Sequence, residues 1–408
     1  MLSVAEARER ILSHFQPVAT ESLALTICAS RVLAQDIVAA TDLPPFDNSS
    51  MDGFTLRSAD TLSAAAASRV TLRVVADIPA GSTLKRSLAE GTAARIMTGA
   101  QIPKGADAVI PVEDTDFNDR ESGSPLPETV SFSRAVKAGE NIRPRGTDLH
   151  AGDVALLKGR ELRPQDLGLL AMLGIANVEV YRKPRIALMS SGDELIQVDA
   201  PLEPGKIHDS NSHSLAALIE SAGAQVVRLG VATDKREAVE ALLEKAAREN
   251  VDLILSSAGV SVGAFDFVKD AIESNGRMDF WRVNMRPGKP LAFGEYRGVR
   301  FIGLPGNPVS AFVGFEVFVR DVLGRLGGRL NGGRQKVRAR CVDDIESDGR
   351  ESYLRAIVEE ADGVLGAKLT GHQGSGNLLS LVQANALLII PAGVKCLPAG
   401  QEADVWLL

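Results

Sequence analysis

The segment RIALMSSGDEL, residues 185–195, reads as an apolar strand that ends in a turn of small and acidic residues. HDSN (208–211) then opens a helix expected over 212–222 and stopped by Gly223. A strand over 225–232 leads to Asp234 and a helix of alternating charge and alanine, 235–249. VDLIL (251–255) is a further strand, followed by the loop SSAGVSVGAFD and a helix over 266–275 that stops at Gly276. Strands around 290–296 and 299–304 precede LPGNPVS (304–310). There Asn307 is a natural N-cap, and Pro308 suits the first position of a helix over 308–325. This β-α-β alternation predicts a parallel, doubly wound sheet whose loops gather at the strand carboxyl ends, the edge where ligands bind.

Outward from this unit the pattern changes. Ser3 and Glu6 form a capping-box pair ahead of an N-terminal helix with Val4, Ala7, Ile11, Leu12 and Phe15 at helical spacing. PPFDNSS (44–50) breaks regular structure, and from about 54 to 135 short β runs such as VTLRVVADI (70–78) predict a separate β lobe. A strand-helix-strand segment over 154–181, its helix at 164–173, is expected to pack on the N-terminal helix. After Gly332, VRARCV, SYLRAIVEE, GVLGAKLT, ALLIIP and ADVWLL predict a small β-barrel.

The chain has 408 residues, enough for several domains, and a formal net charge of −7, which supplies no general basic field for nucleic acid. Cys28, Cys341 and Cys396 lie far apart, so reduced thiols are expected in place of a disulfide framework or zinc site. The charged N-terminus and the lack of a long apolar run predict a cytoplasmic protein without membrane spans. The five histidines form no HExxH pattern, and there is no Walker A or GxGxxG sequence.

Four loops at the strand ends carry the chemistry. Ser190, Ser191, Gly192 and Glu194 either bind a phosphate or polar heterocycle or simply cap the turn. In the loop from Ser256, the small residues Ser257, Gly259, Ser261 and Gly263 allow close approach of main-chain amides to an anion. Asp266 is a helix cap or a magnesium ligand. Arg282, Arg286 and Lys289 place three cations within eight positions, which either grip a polyanion or are simply solvated surface charges. Pro305, Gly306, Asn307 and Pro308 form a strand-to-helix turn that is either structural or anion-binding. No nucleophile–base pair accompanies them, which points to positioning and electrostatics.

In series, PPFDNSSMDGF, ARIMTGAQIPKGADAVI, ENIRPRGTD, SSGDEL, SSAGVSVG, RPGKP, GLPGNPVSA and GHQGSG (371–376) resemble the molybdopterin molybdenumtransferase family, which includes bacterial MoeA and the gephyrin E domain. The resemblance runs through essentially the whole chain. It implies a multidomain α/β protein: a mixed linker domain over 1–48 and 141–181, a β-rich lobe over 49–140, a MoaB/MogA-like molybdopterin-binding domain over 182–328 and a C-terminal β-barrel over 329–408. It further implies a homodimer that takes adenylylated molybdopterin and molybdate with Mg²⁺, releases AMP and leaves molybdenum on the pterin dithiolene. The implied site comprises Asp52 and Thr98 from the β lobe and Glu194, Asp234, Asp266, Arg282, Arg286, Lys289, Pro305 and Pro308 from the α/β domain, with Arg355 and Ser375 from the barrel. Asp266, Asp234 and Glu194 are the implied metal ligands. The adenylyltransferase that makes the substrate and downstream cofactor-processing proteins are the implied partners. Four positions depart from the family pattern: Ala258 replaces a frequent glycine, Ala264 a frequent acid, and Arg282 and Arg286 frequent lysines. The alternative activities are molybdopterin adenylyl transfer and gephyrin-like scaffolding.

Overall fold

The computed structural model describes residues 1–117, 125–257, 265–330 and 332–408, and only the backbone of 265–267 and 281. It divides into two compact units: Asp36–Leu157 with Gly168–Ile175, and the remainder of the chain.

In the smaller unit, β1 (Gly53–Leu56), β2 (Val70–Ile78), β3 (Thr92–Ile96), β4 (Ala108–Pro111) and β5 (Thr129–Phe132) form a sheet in the order β4-β1-β3-β2-β5. Phe54, Leu56, Leu72, Ile110 and Phe132 form a core on one side of it. This is the expected β lobe.

The larger unit opens with α1 (Val4–Leu12), whose Ser3–Glu6 capping box forms as expected and whose Val4, Ala7 and Ile11 are buried. The expected packing partner of this helix is different, however. The strand Asn177–Tyr181 pairs antiparallel with Thr20–Ala24, because the ladder offers its backbone groups a full set of partners. Helix α1 instead joins the core of the α/β layer.

The chain through that layer runs β6 (Arg185–Ser191), α2 (Ser210–Ser221), β7 (Gln225–Ala232), α3 (Arg236–Arg248), β8 (Leu253–Ser257), α4 (Phe265–Asn275), β9 (Gly276–Arg282), then β10 (Met285–Arg286), which leaves the layer for the barrel, and returns as β11 (Pro290–Tyr296) and β12 (Val299–Leu304). The sheet order is β7-β6-β8-β12-β11-β9. Strands β7, β6, β8 and β12 run parallel, while β11 is antiparallel to both neighbours. The expected parallel sheet therefore carries an antiparallel edge. Alternation along β6 sends Ile186 and Leu188 into one core and Ala187 and Met189 into the other, as double winding requires. The chain order reverses between β6 and β8, the switch point at which such sheets bind ligands.

After β12 the expected single helix is three consecutive pieces: α5 (Pro308–Gly314), a π turn (Phe315–Val319) and α6 (Arg320–Leu326). The π turn holds Glu316, whose buried carboxylate accepts two hydrogen bonds from Arg320 at 2.6 and 2.8 Å and two from Arg334 at 2.9 Å. Arg334 leads into the barrel, which comprises β13 (Lys336–Cys341), β14 (Glu351–Ala361), β15 (Val364–Leu369), β16 (Ala386–Ile390) and β17 (Glu402–Leu407). The pairing β14-β15-β13-β17-β16-β14 closes it with five strands. Strand β10 adds to β14 in parallel, fastening the 283–289 loop to the barrel. Among the described residues no helix is long and apolar enough to cross a membrane.

Burial pushes the Glu316 carboxyl up, but the two guanidiniums outweigh it and hold it below the ordinary value of 4.5. Its contribution to stability is thus full above pH 4.5 and is lost as pH falls below that value. Glu316→Gln should flatten that part of the acid limb in a chemical-denaturation series. Glu316→Ala should cost about 3–5 kcal/mol, because it strands buried cations; an unchanged acid limb in Glu316→Gln would refute the assignment.

Candidate functional site

A cleft of about 650 Å³ lies at the carboxyl edge of the parallel strands, lined by the ends of β6 and β8, the start of α2, the 286–290 and 305–308 loops and the barrel. Its size falls in the range of ligand pockets.

Strand β6 ends in Ser190 and Ser191 and β8 in Ser256 and Ser257, all buried. Among the described residues the hydroxyls of Ser190, Ser191 and Ser257 have no hydrogen-bond partner, although β6 and β8 pair through Ser190 and Ser257. Ser191 and Ser257 line the cleft. Buried hydroxyls are ordinarily paired, so unpaired ones at a switch point make this strand end a candidate site.

Gly192 follows with φ +149°, where a Cβ would lie 2.5 Å from a Glu194 carboxylate oxygen. The absence of a side chain thus lets Glu194 fold back over the turn. The amide of Asp234 donates to the carboxylate of Asp193 at 3.1 Å, tying the ends of β6 and β7 together. Glu194 and Asp234 both line the cleft.

The cationic side is built by the 286–289 loop and the barrel. Arg286 and Lys289 line the cleft, and the amide of Val283 donates to the Lys289 carbonyl at 3.0 Å to close the loop. Arg355, on β14, is fully buried. Its Nε donates to Ser380 Oγ at 3.1 Å and its Nη2 to the Gly374 carbonyl at 3.0 Å, while Nη1 has no partner among the described residues. Burial, with Arg286 adding repulsion, pulls the Arg355 guanidinium down to about 10, which leaves it charged at neutral pH.

The 305–308 turn is expected to be capped by Asn307, but its side chain turns away and donates to Ser375 Oγ at 3.0 Å. The amide of Val309 is met by the Ser375 carbonyl at 3.1 Å. The barrel loop thus does the capping.

Not every expected residue reaches this cleft. Arg282 ends β9 at the same sheet edge but two strands from β12, exposed and outside the lining. Gly259, Ser261 and Gly263, with Ala258 and Ala264, lie outside the described residues. Asp266 falls in the first turn of α4, where only the backbone is described. Asp52 and Thr98 belong to the smaller unit, where the Thr98 amide and hydroxyl both donate to one Asp52 carboxylate oxygen at 2.7 Å. Among the described residues no group of three or more His, Cys, Asp or Glu side chains could hold a metal ion unaided.

Sequence reading missed Asp209, Asn211, Arg350 and Gln373, all in the lining. HDSN signalled only a helix start, and α2 indeed begins at Ser210, two positions before the expected start, because Asp209 caps the amide of Ser212 at 3.0 Å.

The arrangement can bind an oxyanion through its cations and a polar group through its serines and carboxylates. Lys289→Ala and Arg286→Ala are each expected to weaken pyrophosphate binding roughly tenfold or more, as loss of a hydrogen bond to a charged group implies. Isothermal titration at two salt concentrations measures this. Wild-type affinity in both variants would remove the cationic wall from the site.

Comparison with known proteins agrees over the full length. Three family models match: the MoeA N-terminal region (domain I and II) over residues 2–174, a "Probable molybdopterin binding domain" over 187–325, and the MoeA C-terminal region (domain IV) over 338–408. The molybdopterin molybdenumtransferase of Haemophilus influenzae is 36% identical, covering 99% of this chain and 98% of that one. Molybdopterin molybdenumtransferase 2 of Mycobacterium tuberculosis is 38% identical over 100% of this chain and 99% of its own. The solved molybdopterin biosynthesis MoeA protein of Pyrococcus horikoshii superposes with a TM-score of 0.84 at 33% identity, covering 100% of both chains.

Proposed function

The chain belongs to the MoeA family of molybdopterin molybdenumtransferases, and we propose that it inserts molybdenum in the synthesis of the molybdenum cofactor. In this reading it takes adenylylated molybdopterin and molybdate, releases AMP and leaves molybdenum bound to the pterin dithiolene. The observation that carries the proposal is the switch-point cleft, which joins unpaired buried hydroxyls to a cationic wall.

Each residue then has a physical task. Lys289, Arg286 and the free Nη1 of Arg355 bind the phosphate oxygens and the incoming molybdate, holding two anions close together. Ser191 and Ser257 hydrogen-bond the substrate between them. Asp234 and Glu194, with Asp266, would hold Mg²⁺. Two carboxylates on the cleft wall suit this ion, which is commonly bound by one or two carboxylates together with substrate phosphates. The ion supplies neutralising charge where the phosphoanhydride splits. In the proposed homodimer, Asp52 and Thr98 complete the cleft of the partner subunit, their shared hydrogen bonds presetting the Thr98 side chain. The cytoplasm is the proposed setting. Matches along the whole chain favour this reading over adenylyl transfer by a lone pterin-binding domain.

The test is AMP release from adenylylated molybdopterin by pure protein with Mg²⁺ and molybdate. No release with tight retention of the substrate would overturn turnover in favour of a binding protein. Asp234→Asn and Asp266→Asn should each slow release far more than they weaken substrate retention; equal losses of both would contradict their role at the metal. In mixed dimers, a Thr98→Ala subunit should disable the cleft of its unmutated partner, and independent behaviour of the two subunits would refute the shared cleft.

A further inference from the structure

The second residue of α2, Asn211, is 7% exposed and lies on the cleft wall. Its Nδ2 donates to the Gly306 carbonyl at 2.7 Å. A carbonyl can only accept, so the nitrogen must be the atom that faces it, and the amide orientation is fixed by chemistry. The remaining atom, Oδ1, is buried and has no partner among the described residues. It is an acceptor that only a donor can satisfy.

Its surroundings narrow the choice of donor. Asp209, two residues back, lines the same wall at 6% exposure, so this end of the cleft is rich in acceptors. The cations come from different elements, the 286–289 loop and the barrel. A ligand matched to both ends carries N–H groups at one end and anionic oxygens at the other. We infer that Asn211 is a specificity-determining residue whose Oδ1 accepts a hydrogen bond from the exocyclic amino group of a phosphorylated amino-heterocycle. This rests on the pterin reading above and names the side chain that recognises the amino edge of the ring. The hydrogen bond to Gly306 also sets the 305–308 turn, so one side chain links ring recognition to the turn that meets Ser375.

The experiment compares binding of 6-hydroxymethylpterin monophosphate with that of its 2-desamino counterpart, by fluorescence titration of the full-length protein. Wild type should favour the amino compound by about three- to tenfold, the value of one neutral hydrogen bond. In Asn211→Ala the ratio should fall to about one. A purely structural role for Asn211 would weaken both compounds alike and leave the ratio unchanged, which would overturn the inference. So would a ratio near one in wild type. Pyrophosphate binding, which depends on the cationic wall, reports whether each variant is folded. If wild type bound pyrophosphate but neither pterin compound, the pterin reading itself would fall, an outcome distinct from a wrong assignment of Asn211.

Discussion

Arg355 is a guanidinium with no access to water, and burying a charge is tolerated only when hydrogen bonds replace its hydration. The barrel loop at 371–376 supplies them through the carbonyls of Gly374 and, at 3.4 Å, His372. Gln373 reinforces the arrangement. Its side-chain oxygen accepts from the Arg355 amide at 2.9 Å and its nitrogen donates to the Arg355 carbonyl at 3.1 Å, as a neighbouring strand would. Holding this loop in turn places Ser375 against Asn307 and Val309, and thereby sets the turn that Asn211 grips through Gly306. The cleft walls of the sheet and the barrel thus belong to one hydrogen-bonded network that starts at a single buried cation.

The same cation shows where sequence reading reaches its limit. Largely apolar runs at 185–191 and 251–255 identified the central strands, and five β-rich segments after Gly332 identified the barrel, because these signals are local. Strand β9, GRMDFWR, was not read as an element in its own right. Its sequence has little apolar continuity, and its pairing with β11 is a tertiary contact that no local pattern encodes. Asn307 had the right residue type for a cap, but a serine 68 positions away offered its side chain a partner and met the helix amide. The motif resemblance named Arg355; that its charge is enclosed follows from the loop that wraps it, and local pattern is silent on that. The clustering of Arg350 and Gln373 with Arg286 depends equally on the pairing of β10 with β14.

The carboxylates raise a matter of order. Glu194 and Asp234 share the cleft, yet among the described residues no three ligands gather into a cage. Magnesium gives up its waters reluctantly and favours phosphate oxygens as further ligands. In the proposed reaction, ion and phosphorylated substrate therefore reinforce each other's binding, and each lowers the cost of desolvating the other.

Near the cationic wall, Asp348 accepts a hydrogen bond from Arg350 Nη2 at 2.5 Å and lies 3.9 Å from Arg286 Nη1, and the Arg350 contact holds its carboxyl at about 2. The protein thereby carries its own counter-anion. At 3.9 Å and half exposed, the carboxylate offsets part of the field of Arg286 without holding it in a hydrogen bond. An anion approaching Arg286 therefore meets a cation whose pull is partly balanced before it arrives.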